Sequence, residues 1–327
     1  MKGPFGEKLV FKKTFSLENF KSKSTIFFID DKLKDKLKNK IDSTHHHKLF
    51  LKGGESLKTL DQYQKNLNFL MDSKAHKKTH IVAIGGGSVL DSVGFLASTY
   101  MRGVDLTLVP TTWLSCIDAS VGGKTALNLN KKKNQVGTVY PPKSILFFEE
   151  LVSKESMKDA QGEILKTLSL NHNAKWVKEY IKKGRVDFKA LKDFVAYKSK
   201  IVKSDPFEKK NIRTVLNLGH TLGHVVELKK NLSHGESVLI GLKFSLIWSH
   251  KKKKIDDKNF EKLLKLLPQK SLKSLGVKEK DLRDYLYFDK KRVDEKINFI
   301  FLNNKGPEVL KVSFDSLINE FKRQIND

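Results

Sequence analysis

The sequence predicts an α/β domain over residues 1–151 followed by a mostly α-helical domain over residues 152–327. Three observations predict it. Short β-rich runs alternate with helical stretches through about Leu151, the pattern of a sheet crossed by helices. An apolar run at 80–84 breaks directly into Gly85, Gly86, Gly87 and Ser88 ahead of a helical stretch over 89–100. From about Val152 the composition turns helical and β-poor.

Taken in order, STIFFID reads as a strand, the residues through Lys40 as a helix, and HKLFLKGG as a second strand. Residues 58–73 read as a helix and HIVAIGGG as a strand entering a turn. Strand, glycine turn and helix suit an anion, because glycine lets the backbone approach closely and N–H groups at the helix start point at negative charge. The spacing is not G-x-G-x-x-G, so the ordinary dinucleotide fingerprint is not met, and a tight structural turn explains the same residues. In the C-terminal part, SKESMKDAQGEILKTLSLN, DFKALKDFVAYKSKIVKSD, HGESVLIGLKFSLIWSHKKKK and KNFEKLLKLLP read as helices, and KINFIFLNN with EVLKVSF as a short β pair.

A chain of 327 residues with 39% hydrophobic content is long enough for about two domains with cores of their own. The net charge of +26 is spread along the whole length, with short runs at 131–133 and 251–254. Spread lysine without a zinc-finger spacing, an aromatic RNA-binding motif or an arginine-rich arm argues against nucleic acid and suits an anionic small molecule. The single cysteine, Cys116, excludes an internal disulfide. The N-terminus shows no apolar run of useful length, and no segment approaches ~20 apolar residues, so neither a signal peptide nor a membrane span is expected and a cytoplasmic location is. The triplet at 45–47 reads as a surface loop.

Two stretches carry more chemistry than structure needs. Residues 104–148 hold Thr111, Thr112, Asp118, Lys124 and Asn134, with Gly122 and Gly123 ahead of Lys124; flexible backbone beside a cation suits phosphate or carboxylate, while the lysine run favours a solvated loop. Residues 213–236 concentrate three histidines, two acids and an arginine. His220 and His224 stack on one face if the segment is helical, and His234 falls just past the expected helix end, in a loop opened by Asn231 and Ser233. Such spacing suits a catalytic metal with three protein ligands and an open fourth position, although paired helical histidines also simply pack or cap.

The series GGGSVLDSVGFLASTYMRG, PTTWLSCIDASVGGKTALN, KNQVGTVYPP, QGEILK, RTVLNLGHTLGHVVE, SHGESVLIG and DKKRVDEKINFIFL runs in order through most of the chain. It resembles the 3-dehydroquinate synthase family of the sugar phosphate cyclase group. The resemblance implies a dehydroquinate synthase-like fold, an α/β nucleotide-binding domain plus a mostly helical metal-binding domain closing around NAD and a divalent metal, normally zinc with cobalt as the substitute, in a homodimer. It implies Glu163, His220 and His234 as metal ligands, with His224 beside the metal as a polar catalytic group. For NAD it implies Asp30, Glu55, Lys58, Gly86, Gly87, Ser88, Asp91, Thr111, Thr112 and Lys133. For substrate it implies Arg102, Asp118, Lys124, Asn134, Lys166, Lys198, Arg213, Asn217, His224 and Lys290, with His224, Glu208 and Lys166 in the catalytic role.

The implied substrate, 3-deoxy-D-arabino-heptulosonate 7-phosphate, has two anionic ends for the lysines and arginine to hold. The implied sequence is transient oxidation by NAD, β-elimination of phosphate, re-reduction and intramolecular aldol closure to 3-dehydroquinate, in the shikimate pathway of aromatic amino acid biosynthesis. The chain departs from the family pattern at Lys132 (usually Gly), Gly162 (usually Ala) and Thr167 (usually aromatic). Alternatives are a related cyclase acting on another sugar phosphate, a metal-dependent polyol or glycerol-phosphate dehydrogenase, which accumulates NADH, and a nucleic-acid binder, whose binding would be steeply salt-dependent.

Overall fold

The computed structural model describes residues 1–20, 24–42, 46–130, 132–230, 232–268, 276–288, 292–293 and 295–326. They form two compact units, Met1–Met157 with Phe188–Phe207, and Lys158–Asp187 with Glu208–Asp327.

The first unit is built on β1 (Lys8–Lys12), β2 (Thr25–Asp30), α1 (Lys34–Asp42), β3 (His47–Leu51), α2 (Leu60–Asp72), β4 (His80–Gly85), α3 (Gly87–Thr99) and β5 (Asp105–Pro110). There follow a hairpin of β6 (Lys124–Leu129) and β7 (Lys132–Val139), then β8 (Ser144–Phe148). Six strands form one sheet in the order β1-β8-β5-β4-β2-β3, and every pairing in it is parallel. Strands covered on both faces read as continuous apolar runs, which is why TIFFID and HIVAIG are buried along nearly their whole length. Phe15, Phe20, Phe27, Ile29, Val82, Ile84 and Phe148 share one core cluster beside this sheet.

The strand order reverses between β2 and β4, because β3 lies outward of β2 whereas β4 lies on its other side. In open α/β sheets the crevice at the carboxyl ends of the strands at such a reversal is where ligands bind. Asp30 ends β2 and Gly85 ends β4, so this edge carries the glycine turn.

The second unit contains α4 (Met157–Leu170), of which all but the first residue belongs to it, and α5 (Lys175–Lys183). Next in the chain is α6 (Leu191–Ser204), which joins the first unit instead. The sequence places α6 in the C-terminal domain; packing decides otherwise. Leu191, Phe194, Val195 and Val202 are buried, and Lys198 Nζ pairs with Asp118 of the first unit. The second unit continues through α7 (His220–Lys230), α8 (His234–Lys251), α9 (Asp257–Leu264), α10 (Glu279–Phe288), β9 (Arg292–Val293), β10 (Lys296–Asn303), β11 (Gly306–Ser313) and α11 (Phe314–Asn326). The expected β pair is found as antiparallel β10 and β11, with β9 added on the other side of β10.

In α8 the apolar residues run round the helix, so it is buried along most of its length. It lies in a core with Val225, Phe299, Phe301, Phe314, Leu317 and Phe321. In α11 the buried Phe314, Leu317, Ile318 and Phe321 recur at i, i+3, i+4 and i+7 and form a single stripe. No helix among the described residues is long and apolar enough to cross a membrane.

Candidate active site

Strand, glycine turn and helix follow one another as expected. Gly86 is the N-cap of α3 and makes no side-chain cap bond, so the first-turn N–H groups depend on partners from outside the helix. Ser88 Oγ accepts from Gly54 N at 2.9 Å, tying the turn to the loop after β3. Asp30 stands at the end of β2, where burial raises its carboxyl above the usual range and the Lys32 N–H, 3.2 Å from Oδ1, partly counters this. Beside it Gly53 leaves no room for a side chain, since a Cβ there would meet Asp30 Oδ2 at 2.7 Å. Thr111 is buried and continues the sheet edge by accepting from Ser153 N at 2.9 Å, while Thr112 N donates to Ser115 Oγ at 3.1 Å.

A polar chain runs from this turn into the hairpin. Asn128 Nδ2 donates to Glu55 Oε2 at 2.7 Å, and Asn128 Oδ1 accepts from Asn134 N at 2.9 Å. Asn134 Oδ1 in turn accepts from Lys58 Nζ, which also pairs with Asp91 Oδ2 at 2.6 Å. Lys58 is buried. Burial raises the Asp91 carboxyl, and the Lys58 ammonium offsets only part of the rise. The structure therefore unites Glu55, Lys58, Asp91 and Asn134 in one network. Lys124–Leu129 and Lys132–Val139 pair as a hairpin rather than the loop that the lysine run favours, though the second strand is mostly exposed, and the left-handed Asn134 (φ 56°) offers its amide oxygen to Lys58; Lys131 lies outside the described residues. Lys133 and Lys124 are exposed on that hairpin. Asn128, which sequence reasoning missed, is the link; only the knowledge that β6 and β7 pair would have exposed it.

Elsewhere in the first unit, Lys198 Nζ bonds both the carboxylate and the carbonyl oxygen of Asp118. Arg102 is not brought to this network: it is exposed, in a left-handed conformation (φ 61°), past the C-terminal end of α3 and about 20 Å along that helix from the glycine turn.

In the second unit Glu163, His220 and His234 converge, with one ligand atom from each lying within 4.8 Å of the others. His234 is not in a loop. It opens α8, directly after Ser233, whose hydroxyl and Glu236 form a capping box; the S-x-x-E pattern is that box's signature. Asn231 lies outside the described residues, as does Lys290. His220 opens α7, and its ring meets those of His224 and His234 edge-on at 5.3 and 5.4 Å.

Each histidine is oriented by its far nitrogen. His220 Nδ1 faces the Leu218 carbonyl at 3.2 Å and His234 Nδ1 faces Glu227 Oε2 at 3.2 Å. Both partners accept, so both Nδ1 atoms donate, which leaves the Nε2 atoms to act as ligands. These lie 3.4 and 3.6 Å from Glu163 Oε1, a buried oxygen with no hydrogen bond. The other oxygen of Glu163 pairs with the buried Lys166. Burial alone would raise Glu163, but Lys166 and the two imidazoles hold it well below the usual carboxylate range. Burial, then Lys166, lowers His220. Glu163 and Glu227 push His234 up to about 9, so the cluster demands positive charge. A divalent cation can meet that demand in place of a proton, and the donor set of two imidazoles and a carboxylate fits zinc.

Elsewhere in the second unit Arg213 is buried, with Nε 3.4 Å from Glu208 Oε1, and Asn217 closes the same short turn. Glu208 has a left-handed backbone (φ 57°). His224 Nδ1 is 2.9 Å from Tyr285 Oη. Glu227 and Tyr285 were not legible as site residues: Glu227 reads as an ordinary helix acid, and Tyr285 lies 61 residues from its partner.

Comparison with known proteins agrees with this geometry. Residues 48–161 match the family described as 3-dehydroquinate synthase N-terminal, and residues 151–292 match 3-dehydroquinate synthase C-terminal. The chain is 33% identical over 299 residues to a 3-dehydroquinate synthase of Leptospira interrogans, covering 86% of this chain and 81% of that one. It is 35% identical over 286 residues to a 3-dehydroquinate synthase of Methylacidiphilum infernorum, covering 83% and 80%. A solved structure of 2-deoxy-scyllo-inosose synthase complexed with carbaglucose-6-phosphate, NAD+ and Co2+ shares the fold, with a TM-score of 0.81, 23% identity and 96% of each chain covered. With both halves matched and relatives of this identity spanning most of its length, the chain belongs to the 3-dehydroquinate synthase family.

Proposed function

We propose that this chain converts 3-deoxy-D-arabino-heptulosonate 7-phosphate to 3-dehydroquinate and phosphate, with NAD and a divalent metal, zinc in the first place and cobalt as a substitute. The observation that carries the reading is the set of ligand atoms of Glu163, His220 and His234, aimed at one another by their partners, in a chain of this family. The related fold solved with NAD+ and Co2+ supports the cofactor pair.

Bound NAD would supply a hydride acceptor that is restored within each turnover, and the metal a Lewis acid for the sugar hydroxyls. The remaining work belongs to the chain. Glu163, His220 and His234 hold the metal, and Lys166 keeps the Glu163 carboxylate charged. Asp30, Glu55, Lys58, Gly86, Gly87, Ser88, Asp91, Thr111, Thr112 and Lys133 serve the nucleotide, its phosphates taken by the open N-terminus of α3. Lys124, Asn134, Lys198, Arg213 and Asn217, with Asp118 and Lys290, hold the two anionic ends and the hydroxyls of the substrate. His224 and Glu208 handle protons. Much of the rate enhancement then rests on positioning and on fixed positive charge. The protein acts in the cytoplasm as a homodimer.

The test is phosphate release from the heptulosonate phosphate, expected only with both NAD and metal present and with no lasting NADH absorbance. Turnover that survives chelation, or NADH accumulating in step with substrate, overturns the reading and points to a dehydrogenase. Sedimentation equilibrium tests the dimer; a mass of 37.4 kDa at all concentrations would refute it.

A further inference from the structure

His224 is the proton-handling imidazole of the proposed reaction, and a ring in that role needs a fixed orientation. An imidazole can rotate about two side-chain torsions, so its direction is set by the partners that hold it. The fixing contact comes from α10, where Tyr285 Oη lies 2.9 Å from His224 Nδ1 with the ring centroids 6.0 Å apart. Tyr285 is half-buried beside Leu282 and Leu286, which belong to the core of the second unit, so the hydroxyl is held by packing as well as by its hydrogen bond.

We propose that Tyr285 is a positioning residue of the site: its hydroxyl holds His224 by Nδ1 and so orients Nε2 toward the substrate. A tyrosine suits the task. Its hydroxyl can donate to Nδ1 when Nε2 carries the hydrogen and, after rotating, accept from Nδ1–H when Nε2 carries the lone pair. The same contact thus survives whichever way a proton passes at Nε2. A carboxylate in its place would accept only, and would favour the charged ring.

This inference rests on the role of His224 given above, and the experiment separates the two. Tyr285→Phe removes one oxygen. It is expected to lower kcat about tenfold, the scale of one lost hydrogen bond, with KM within about twofold and with bound metal unchanged. In a His224→Ala background the same substitution is expected to cost nothing, as a role exerted through that ring requires. In 15N spectra of the metal-free protein, the His224 imidazole resonances are expected to move in Tyr285→Phe. Equal losses in both backgrounds, an unchanged kcat, or unmoved His224 resonances would overturn the positioning role. So would a loss confined to Tyr285→Leu, which would make the ring a packing element and the hydroxyl idle. Full activity of His224→Ala itself would instead remove the role of His224 and, with it, the positioning role.

Discussion

Gly162 and Gly235 face each other where α4 meets the first turn of α8. A Cβ built on Gly162 would strike the Gly235 carbonyl, and one built on Gly235 would lie 2.5 Å from the Asp159 carbonyl oxygen. Backbone therefore touches backbone at the point where Glu163 on one helix and His234 on the other must come together. Glycine at both positions lets the two helices that carry two of the three ligands approach closely.

It follows that Gly162→Ala, the residue that the family resemblance leads one to expect here, is destabilising in this chain. Overpacking of this kind costs about 1–3 kcal/mol. Urea denaturation of the metal-free protein should show the loss, and metal titration should show weaker binding, because the helices part. An unchanged midpoint would mean that the contact relaxes without cost.

The metal centre makes a graded prediction. His234→Ala removes a ligand and should abolish stoichiometric metal after dialysis. Glu227→Gln keeps the ligand set and weakens only the acceptor behind His234 Nδ1; such outer partners are worth roughly 10–100-fold in metal affinity. Competition with a chelator would resolve the two. Equal affinity of Glu227→Gln and the unaltered protein would show that His234 needs no such support.

The contrast between these two residues shows how far the sequence was legible. His220 and His234 are set apart by residue type, and the resemblance separates them from His224, which spacing alone would have paired with His220. The α/β unit was legible because short β-rich runs alternate with helical stretches through it, and the glycine turn because it follows an apolar, β-branched run. Glu227, Asn128 and Tyr285 were not, since each gains its role from a partner on another element. The placement of α6 failed for the same reason: its composition resembles that of the helices that follow, and only its packing, including the Lys198 pair with Asp118, assigns it to the first unit.

Lys58 offers a test of the first unit by pH. It is buried and pairs with Asp91, whose carboxyl is already raised by burial. Lys58→Met removes the main influence lowering that carboxyl, so it rises further. A carboxyl with a folded pKa above its unfolded value of about 3.9 binds protons more readily when folded, and stability then increases as pH falls through that window. The Met variant should therefore lose more stability at pH 7 than at pH 5, relative to the unaltered protein at each pH. A loss independent of pH would show that Asp91 does not feel Lys58. NAD affinity, measured by fluorescence titration, should fall in the same variant, since Lys58 and its partner Asp91 are both among the residues proposed to serve the nucleotide.

His172 gives the opposite sign. It is fully buried, Nδ1 lies 3.1 Å from the Ser169 carbonyl, and Nε2 has no hydrogen-bond partner. Burial pushes its pKa below the ordinary imidazole value, with the Lys262 ammonium adding to the effect and the Ser169 carbonyl opposing it. The folded protein therefore holds His172 neutral, while the unfolded chain takes up a proton near pH 6.5. The group's contribution to stability is complete above that pH and declines as pH falls from about 6.5 toward the depressed folded value. His80, also lowered by burial, adds a contribution of the same sign. Urea midpoints at pH 7.5 and pH 5.5 should differ in the unaltered protein, and the difference should be smaller in His172→Gln, whose side chain does not titrate. An identical difference in the two proteins would mean that His172 is as easily protonated folded as unfolded, and that its buried nitrogen finds a partner when charged.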